Sequence, residues 1–307
     1  MSEVPFRLRA AQTISRIVPL MISQRVAGKI FGWKVAGSTG IDIERRALTG
    51  SSLVVNTRDE FGCDFANTGC YDWKLWAIAF AACNPGDTIV EVGANIGTET
   101  VGFADIVGPA GRVIAFEPVP ENVARLRSFV AGRAIKNVDV VDLAVSDSVG
   151  SINFVFPEGR NSGLGHIDYG DGKRPGRSFS VGTTTLDDYL NDVSARLLMM
   201  DVEGAETNVL QGGRRWIAAN RPVIVCEAHH HKAEILSVLT RFNYSVHSIR
   251  RFGLDRPQPS PSIPQANWLA VHRDENSLAH RIDRMIKWCG VLPPITGIHP
   301  LVSMAAR

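Results

Sequence analysis

The sequence predicts an α/β fold: a seven-stranded, mostly parallel sheet with helices on both faces, an inserted β-hairpin and N-terminal helices. Three observations carry that prediction. From Asp87 onward, short apolar runs alternate with amphipathic stretches at helical spacing. The runs are apolar throughout rather than at every second residue, as strands buried on both faces require. A glycine-bearing turn, Gly93-Ala94-Asn95-Ile96-Gly97, stands where the first run passes into a helix.

Taken in order, residues 7–31 read as helical, with Ile14, Ile17, Val18, Met21 and Ile22 at helical spacing. Pro19 should kink or divide that segment. Residues 37–70 hold many Gly, Ser, Thr and Asn, and only Leu53-Val54-Val55 reads as a strand. Tyr71 to Ala82 predicts a helix closed by Asn84-Pro85-Gly86. Five strands follow, at 88–92, 112–117, 138–143, 197–201 and 222–227, with helices at 98–106, 121–132, 205–219 and 232–241. Two further strands, 244–249 and 268–272, are separated by the proline-rich segment 256–264, which reads as a loop. They are therefore expected to pair antiparallel at one edge. Between the third and fourth strands, 151–156 and 178–184 predict a hairpin flanking the loop 161–165. The tail from Ser277 reads as a basic helix and a Pro/Gly-containing segment. The expected organisation is a helical cap over 1–70, an α/β domain over 71–276 and a tail over 277–307.

Composition narrows the function. A net charge of +2 on 307 residues gives no strong field for nucleic acid. The five cysteines show no zinc-type spacing, so reduced thiols in a cytoplasmic protein are expected, without a metal site. No apolar run has the length of a membrane span, and no secretory signal is evident at the N-terminus. The first fifty residues carry an excess of Arg and Lys. The basic N-terminal helix there would either make peripheral contact with an anionic membrane or pack across the sheet edge or the pocket.

The turn at Gly93 and Gly97 lets a ligand approach the backbone, and the helix start behind it offers unpaired N–H groups and a positive dipole end. A dinucleotide fingerprint would read GxGxxG. Here Asn95 takes the central glycine position, which counts against a nicotinamide cofactor. Glu117 ends the second strand, where a carboxylate can accept hydrogen bonds from both hydroxyls of an adenosine ribose. Asp142, at the end of the third strand, is a candidate for the adenine amino group or a turn-forming Asp.

In chain order, Val90-Glu91-Val92-Gly93-Ala94-Asn95-Ile96-Gly97, Phe116-Glu117-Pro118, Thr185-Leu186-Asp187-Asp188, Asp201-Val202-Glu203-Gly204-Ala205-Glu206 and Glu227-Ala228-His229 resemble the FkbM-type methyltransferases. The resemblance runs from about Tyr71 to His272. It implies a Rossmann-like class I methyltransferase fold, S-adenosyl-L-methionine as methyl donor, and O-methylation of a hydroxyl on a sugar, glycan or natural product. It further implies that Glu91, Gly93, Ala94, Asn95, Gly97 and Glu117 line the cofactor.

The acceptor hydroxyl must lose a proton, and ligands of open α/β sheets bind at the C-terminal strand ends. Asp201 and Glu203 lie past the fourth strand, Glu227 and His229 past the fifth. Either Asp201 or His229 is expected as the base, with Glu203 and Glu227 shaping the acceptor pocket. His229-His230-His231 suggests metal ligation, but neighbouring histidines on a short loop rarely converge on one ion. The rival readings are an NAD(P)-dependent oxidoreductase and a non-catalytic binding protein of the same fold.

Overall fold

The computed structural model describes residues 4–36, 40–132, 135–156, 166–167, 177–255 and 267–304. Two N-terminal helices, α1 (Phe6–Ile17) and α2 (Leu20–Ile30), are divided at Val18-Pro19, as the proline predicts. A short helix, α3 (Trp33–Ala36), follows, then an antiparallel hairpin of β1 (Asp42–Arg46) and β2 (Ser52–Asn56). Helix α4 (Glu60–Thr68) lies where the sequence reads as irregular. Its signals are the Asp59 cap, whose carboxylate accepts the Gly62 N–H, and the buried Phe65 and Ala66. Gly62 is required because a Cβ there would overlap the Asn56 carbonyl oxygen. Helix α5 (Trp73–Ala82) starts on an Asp72 cap and is apolar on nearly all sides, being covered by its neighbours.

The parallel core consists of β3 (Thr88–Val92), helix α6 (Thr100–Val107), β4 (Arg112–Phe116), helix α7 (Pro120–Gly132) and β5 (Val138–Val141). The chain then enters a second, four-stranded sheet. Its strands are β6 (Ala144–Val145), β7 (Gly150–Phe156), β8 (His166–Ile167) and β9 (Arg177–Thr184), in the order β6-β9-β7-β8. The expected hairpin is the β7–β9 antiparallel pair, and the loop 161–165 lies outside the described residues. After helix α8 (Leu186–Leu190), capped by Thr185, come β10 (Leu197–Met200), helices α9 (Glu206–Gly212) and α10 (Arg214–Asn220), and β11 (Val223–Glu227). Helix α11 (Lys232–Arg241), β12 (Tyr244–Arg250), β13 (Gly253–Leu254), β14 (Asn267–His272), helix α12 (Asn276–Val291) and helix α13 (Pro300–Met304) complete the described chain. The proline-rich segment 256–264 also lies outside the described residues.

The main sheet runs β13-β12-β14-β11-β10-β3-β4-β5. All seven expected strands are in it, and the two-residue β13 makes eight. Strands β12 and β14 pair antiparallel toward one edge, as expected, with β14 on the inner side. Strand β14 lies between β11 and β12, antiparallel to both, because the crossover through α11 leaves a gap that the returning chain fills. One side of the sheet packs Ile89, Val113, Leu197 and Val225 with α5, α12 and the N-terminal helices, through Leu8, Leu20, Trp76 and Ile286. The other side packs Val90, Ile114, Leu198 and Ile224 with α8 to α11. Strand order reverses between β3 and β10, from which the chain winds outward in both directions, and open sheets of this kind bind ligands at that point.

Candidate active site

Register brings the functional residues to one edge. Val92 faces Phe116 on one side and Met200 on the other, and Cys226 faces Met200. The residues that follow, Gly93, Glu117, Asp201 and Glu227, therefore leave the sheet side by side. Hydrogen bonds fix the turn: Gly93 N–H and Ala94 N–H both donate to the Phe116 carbonyl at 2.9 Å, and Asp201 N–H donates to Val92 at 3.0 Å. Gly93 has φ +90°, and a Cβ there would overlap the Asp201 carbonyl oxygen, so only glycine lets the two strand ends approach. Asn95 and Glu203 also have positive φ, 49° and 48°, a conformation non-glycine residues adopt at some cost.

These residues border a cleft open to solvent. Phe116, Glu117, Pro118, Leu143, Val145 and Phe154 line one part, and Gly93, Asn95, Glu99, Phe61, Asp201 and Glu203 another. The Glu117 carboxylate is buried and rigid: Oε2 accepts the Asn95 N–H at 2.8 Å and Oε1 the Val119 N–H at 2.9 Å. Burial pushes its pKa up to about 7 despite those bonds. Glu99 is likewise pushed up to about 7, chiefly by burial. It accepts hydrogen bonds from the Thr98 hydroxyl and the Asp72 N–H.

Beyond them Asp201 and Glu227 form a hydrogen-bonded carboxyl pair. Burial raises both, and the charge on Asp201 raises Glu227 further, so Glu227 holds the proton and donates it toward Asp201. His229 Nε2 lies 3.2 Å from Glu227 Oε1, and desolvation lowers the His229 pKa, keeping the ring neutral at pH 7. Carboxylate oxygens of Asp201, Glu203 and Glu227 lie within 4.8 Å of one another, close enough to meet one cation.

Of the sequence-predicted residues, the structure brings Gly93, Asn95, Glu117, Asp201 and Glu203 to the cleft wall, with Glu227 and His229 in contact behind Asp201. Gly97 and Ala94 shape the turn without lining the cleft. Glu91 does not line it either. Strand alternation places it on the Ile89 side, buried, where it accepts a 2.6 Å hydrogen bond from the Thr100 hydroxyl. Asp142, expected at the adenine, does not line the cleft. Strand β5 ends at Val141, two residues short of the expected 143, and the Asp142 side chain turns outward to pair with Arg127 at 3.2 Å, both more than half exposed. Its neighbours Leu143, Ala144 and Val145 line the cleft instead. Sequence reasoning missed Glu99, Phe61 and Phe154. Glu99, four residues after Asn95 at a helix start, was legible from spacing, whereas Phe61 and Phe154 arrive from other parts of the fold.

The described residues contain no helix long and apolar enough to cross a membrane. The methyltransferase FkbM domain pattern matches residues 91–252, more than half of the chain. The 2-O-methyltransferase NoeI of Sinorhizobium fredii is 27% identical over 152 residues, covering 45% of this chain and 61% of that protein. An arsenite methyltransferase of Halobacterium salinarum is 29% identical over 155 residues, covering 44% of this chain and 38% of its own length. The chain thus matches less than two thirds of either relative. A solved methyltransferase FkbM from Methylobacillus flagellatus aligns over 88% of this chain and 63% of its own, with 15% identity and a TM-score of 0.42. With its motifs gathered at the switch point of the sheet and the domain pattern running from β3 past β12, the chain belongs to the FkbM methyltransferase family.

Proposed function

We propose that the chain is an S-adenosyl-L-methionine-dependent O-methyltransferase acting on a hydroxyl of a sugar, glycan or other small polyhydroxylated acceptor. The observation that carries the reading is the pairing, in one cleft, of a backbone-held carboxylate, Glu117, with a turn that tolerates no side chain at Gly93. The residues present fit the cofactor. Asn95 has a buried side-chain oxygen without a partner, and the wall carries Glu99, Glu117, Asp201 and Glu203, an acidic surface suited to a ligand with sulfonium and ammonium charges. Glu117 would accept from the ribose hydroxyls. Phe116, Val145 and Phe154 would enclose the base, and Asn95 and Glu99 would meet the amino-acid portion.

When bound, the cofactor supplies a methyl group on a positively charged sulfur, and in-line positioning provides most of the acceleration. The chain's own task is the proton. Asp201 is the ionised member of its pair, because Glu227 holds the shared proton, and it lines the cleft. Asp201 therefore takes the hydroxyl proton at a carboxylate oxygen. Glu227 and then His229, half-exposed at the outer end, provide a path toward solvent. This favours Asp201 over His229 as the base. The name of the NoeI relative supports a hydroxyl acceptor.

The test is transfer of a radiolabelled methyl group from the cofactor to a panel of free sugars, oligosaccharides and polyhydroxylated metabolites. Label entering an alkali-stable ether, and lost in Asp201→Asn, is the expected result. A folded protein that instead reduced NAD(P) with such compounds would overturn the reading.

A further inference from the structure

A second pocket, open to solvent, lies outside the segment that matches the family. Arg16, Arg45, Arg46, Leu48, Pro294 and Val302 line it. Arg45 stands on the inward-facing side of β1, in phase with Ile43, where a strand ordinarily places an apolar residue. Its Nε is sealed from solvent and has no hydrogen-bond partner. Among the described residues, no side-chain hydrogen bond or ion pair reaches Arg16 or Arg45. Desolvation and the like charge of Arg16 both lower the Arg45 pKa, and only the Cys70 thiol acts the other way. Arg46, the next residue of β1, is exposed at the cavity's rim, its Nε donating to the Gly50 carbonyl at 2.8 Å.

A guanidinium whose Nε is buried without a partner, with a second arginine charge close enough to lower its pKa, is costly unless an anion joins them. No residue lines both this pocket and the main cleft. We propose that Arg16 and Arg45, with Arg46 at the rim, form an oxyanion site that takes the phosphate group of an ester, separate from the methyl-transfer cleft. The guanidinium forks suit tetrahedral oxyanions, and the apolar wall of Leu48, Pro294 and Val302 accommodates the carbon portion of the ester. The ester is either a soluble phosphorylated compound or a phospholipid headgroup. For the latter, Ile17 and Ile295 beside the cavity are 52% and 59% exposed, and the Ile295 N–H donates to the Arg16 carbonyl at 2.9 Å. The inference stands independently of the cofactor reading.

The experiment compares thermal unfolding of the full chain in sodium phosphate and in sodium chloride at equal ionic strength. Phosphate should raise the wild-type midpoint above the chloride value. Arg45→Met should abolish that rise while melting at or above wild type without phosphate, since an uncompensated buried cation has gone. Arg16→Gln, at an exposed position, should weaken phosphate about ten- to a hundredfold. Sedimentation with phosphatidylcholine vesicles, with and without phosphatidylglycerol, separates the sources. Arg45-dependent sedimentation with the anionic vesicles identifies a headgroup, and phosphate stabilisation without sedimentation identifies a soluble ester. Coincident wild-type midpoints in the two salts with no vesicle binding would overturn the site, as would a phosphate response that survives in both variants.

Discussion

Glu99 makes cofactor binding pH-dependent in a direction the structure specifies. Its carboxyl lines the cleft, and burial pushes its pKa from 4.5 up to about 7. If the ammonium group of the ligand meets Glu99, only the ionised carboxylate attracts it. About a tenth of the ligand-free molecules carry that charge at pH 6 and about nine-tenths at pH 8. The dissociation constant for S-adenosylhomocysteine should then fall about tenfold between those values, with close to one proton released per ligand at pH 6. Calorimetry in buffers of different ionisation enthalpy counts that proton. Glu99→Gln should bind more weakly at pH 8 and with a flatter pH profile. An affinity equal at pH 6 and pH 8, or an undiminished slope in Glu99→Gln, would refute the reasoning. The same shift has a stability consequence of opposite sense. Glu99 and Glu117 have raised folded-state pKa values, so their contribution is fully present below about 4.5 and lost as pH rises through about 7. For the buried Glu117 the change is on the order of 3 kcal/mol.

Further outcomes follow from the same geometry. Gly93→Ala should abolish cofactor binding and lower the unfolding midpoint, because its Cβ displaces the Asp201 backbone and its positive φ adds about 1–3 kcal/mol of strain. Calorimetry and a melting curve read the two effects separately. Asp201→Asn should reduce kcat by about 10²–10⁴ while cofactor affinity changes far less, and His229→Ala should have a smaller effect, measured by steady-state kinetics on an identified acceptor. Asp142→Ala should leave cofactor affinity unchanged and stability within about 0.5 kcal/mol, since it removes only an exposed ion pair.

The sheet was legible because its strands are apolar on both faces and end in polar residues that also mark the site. Val92-Gly93, Phe116-Glu117 and Met200-Asp201 each announce a strand end, and parallel register then aligns those ends. Helix α4 was not legible, because Gly62, Asn67 and Thr68 resemble loop composition and its helical state depends on packing against α1, α2 and the β1–β2 hairpin. Strand alternation alone would have turned Glu91 away from the cleft, since it shares a side with Ile89. Asp142 lies off the cleft wall for another reason. One residue of strand length decides whether a side chain faces a ligand or solvent, and sequence boundaries are seldom that sharp. Phe61 and Phe154 reach the cleft from helix α4 and the inserted sheet, so no local pattern could identify them.

The central claim is that Glu117, held by two backbone N–H groups beside the Gly93 turn, grips the ribose of an adenosyl ligand. Isothermal titration of S-adenosylhomocysteine into wild type and Glu117→Ala measures it directly. One site per chain is expected, with an affinity loss on the order of a hundredfold or more in the variant, from two charge-assisted hydrogen bonds. Wild-type protein that is folded yet takes up no ligand, or a variant that binds as tightly as wild type, would contradict it.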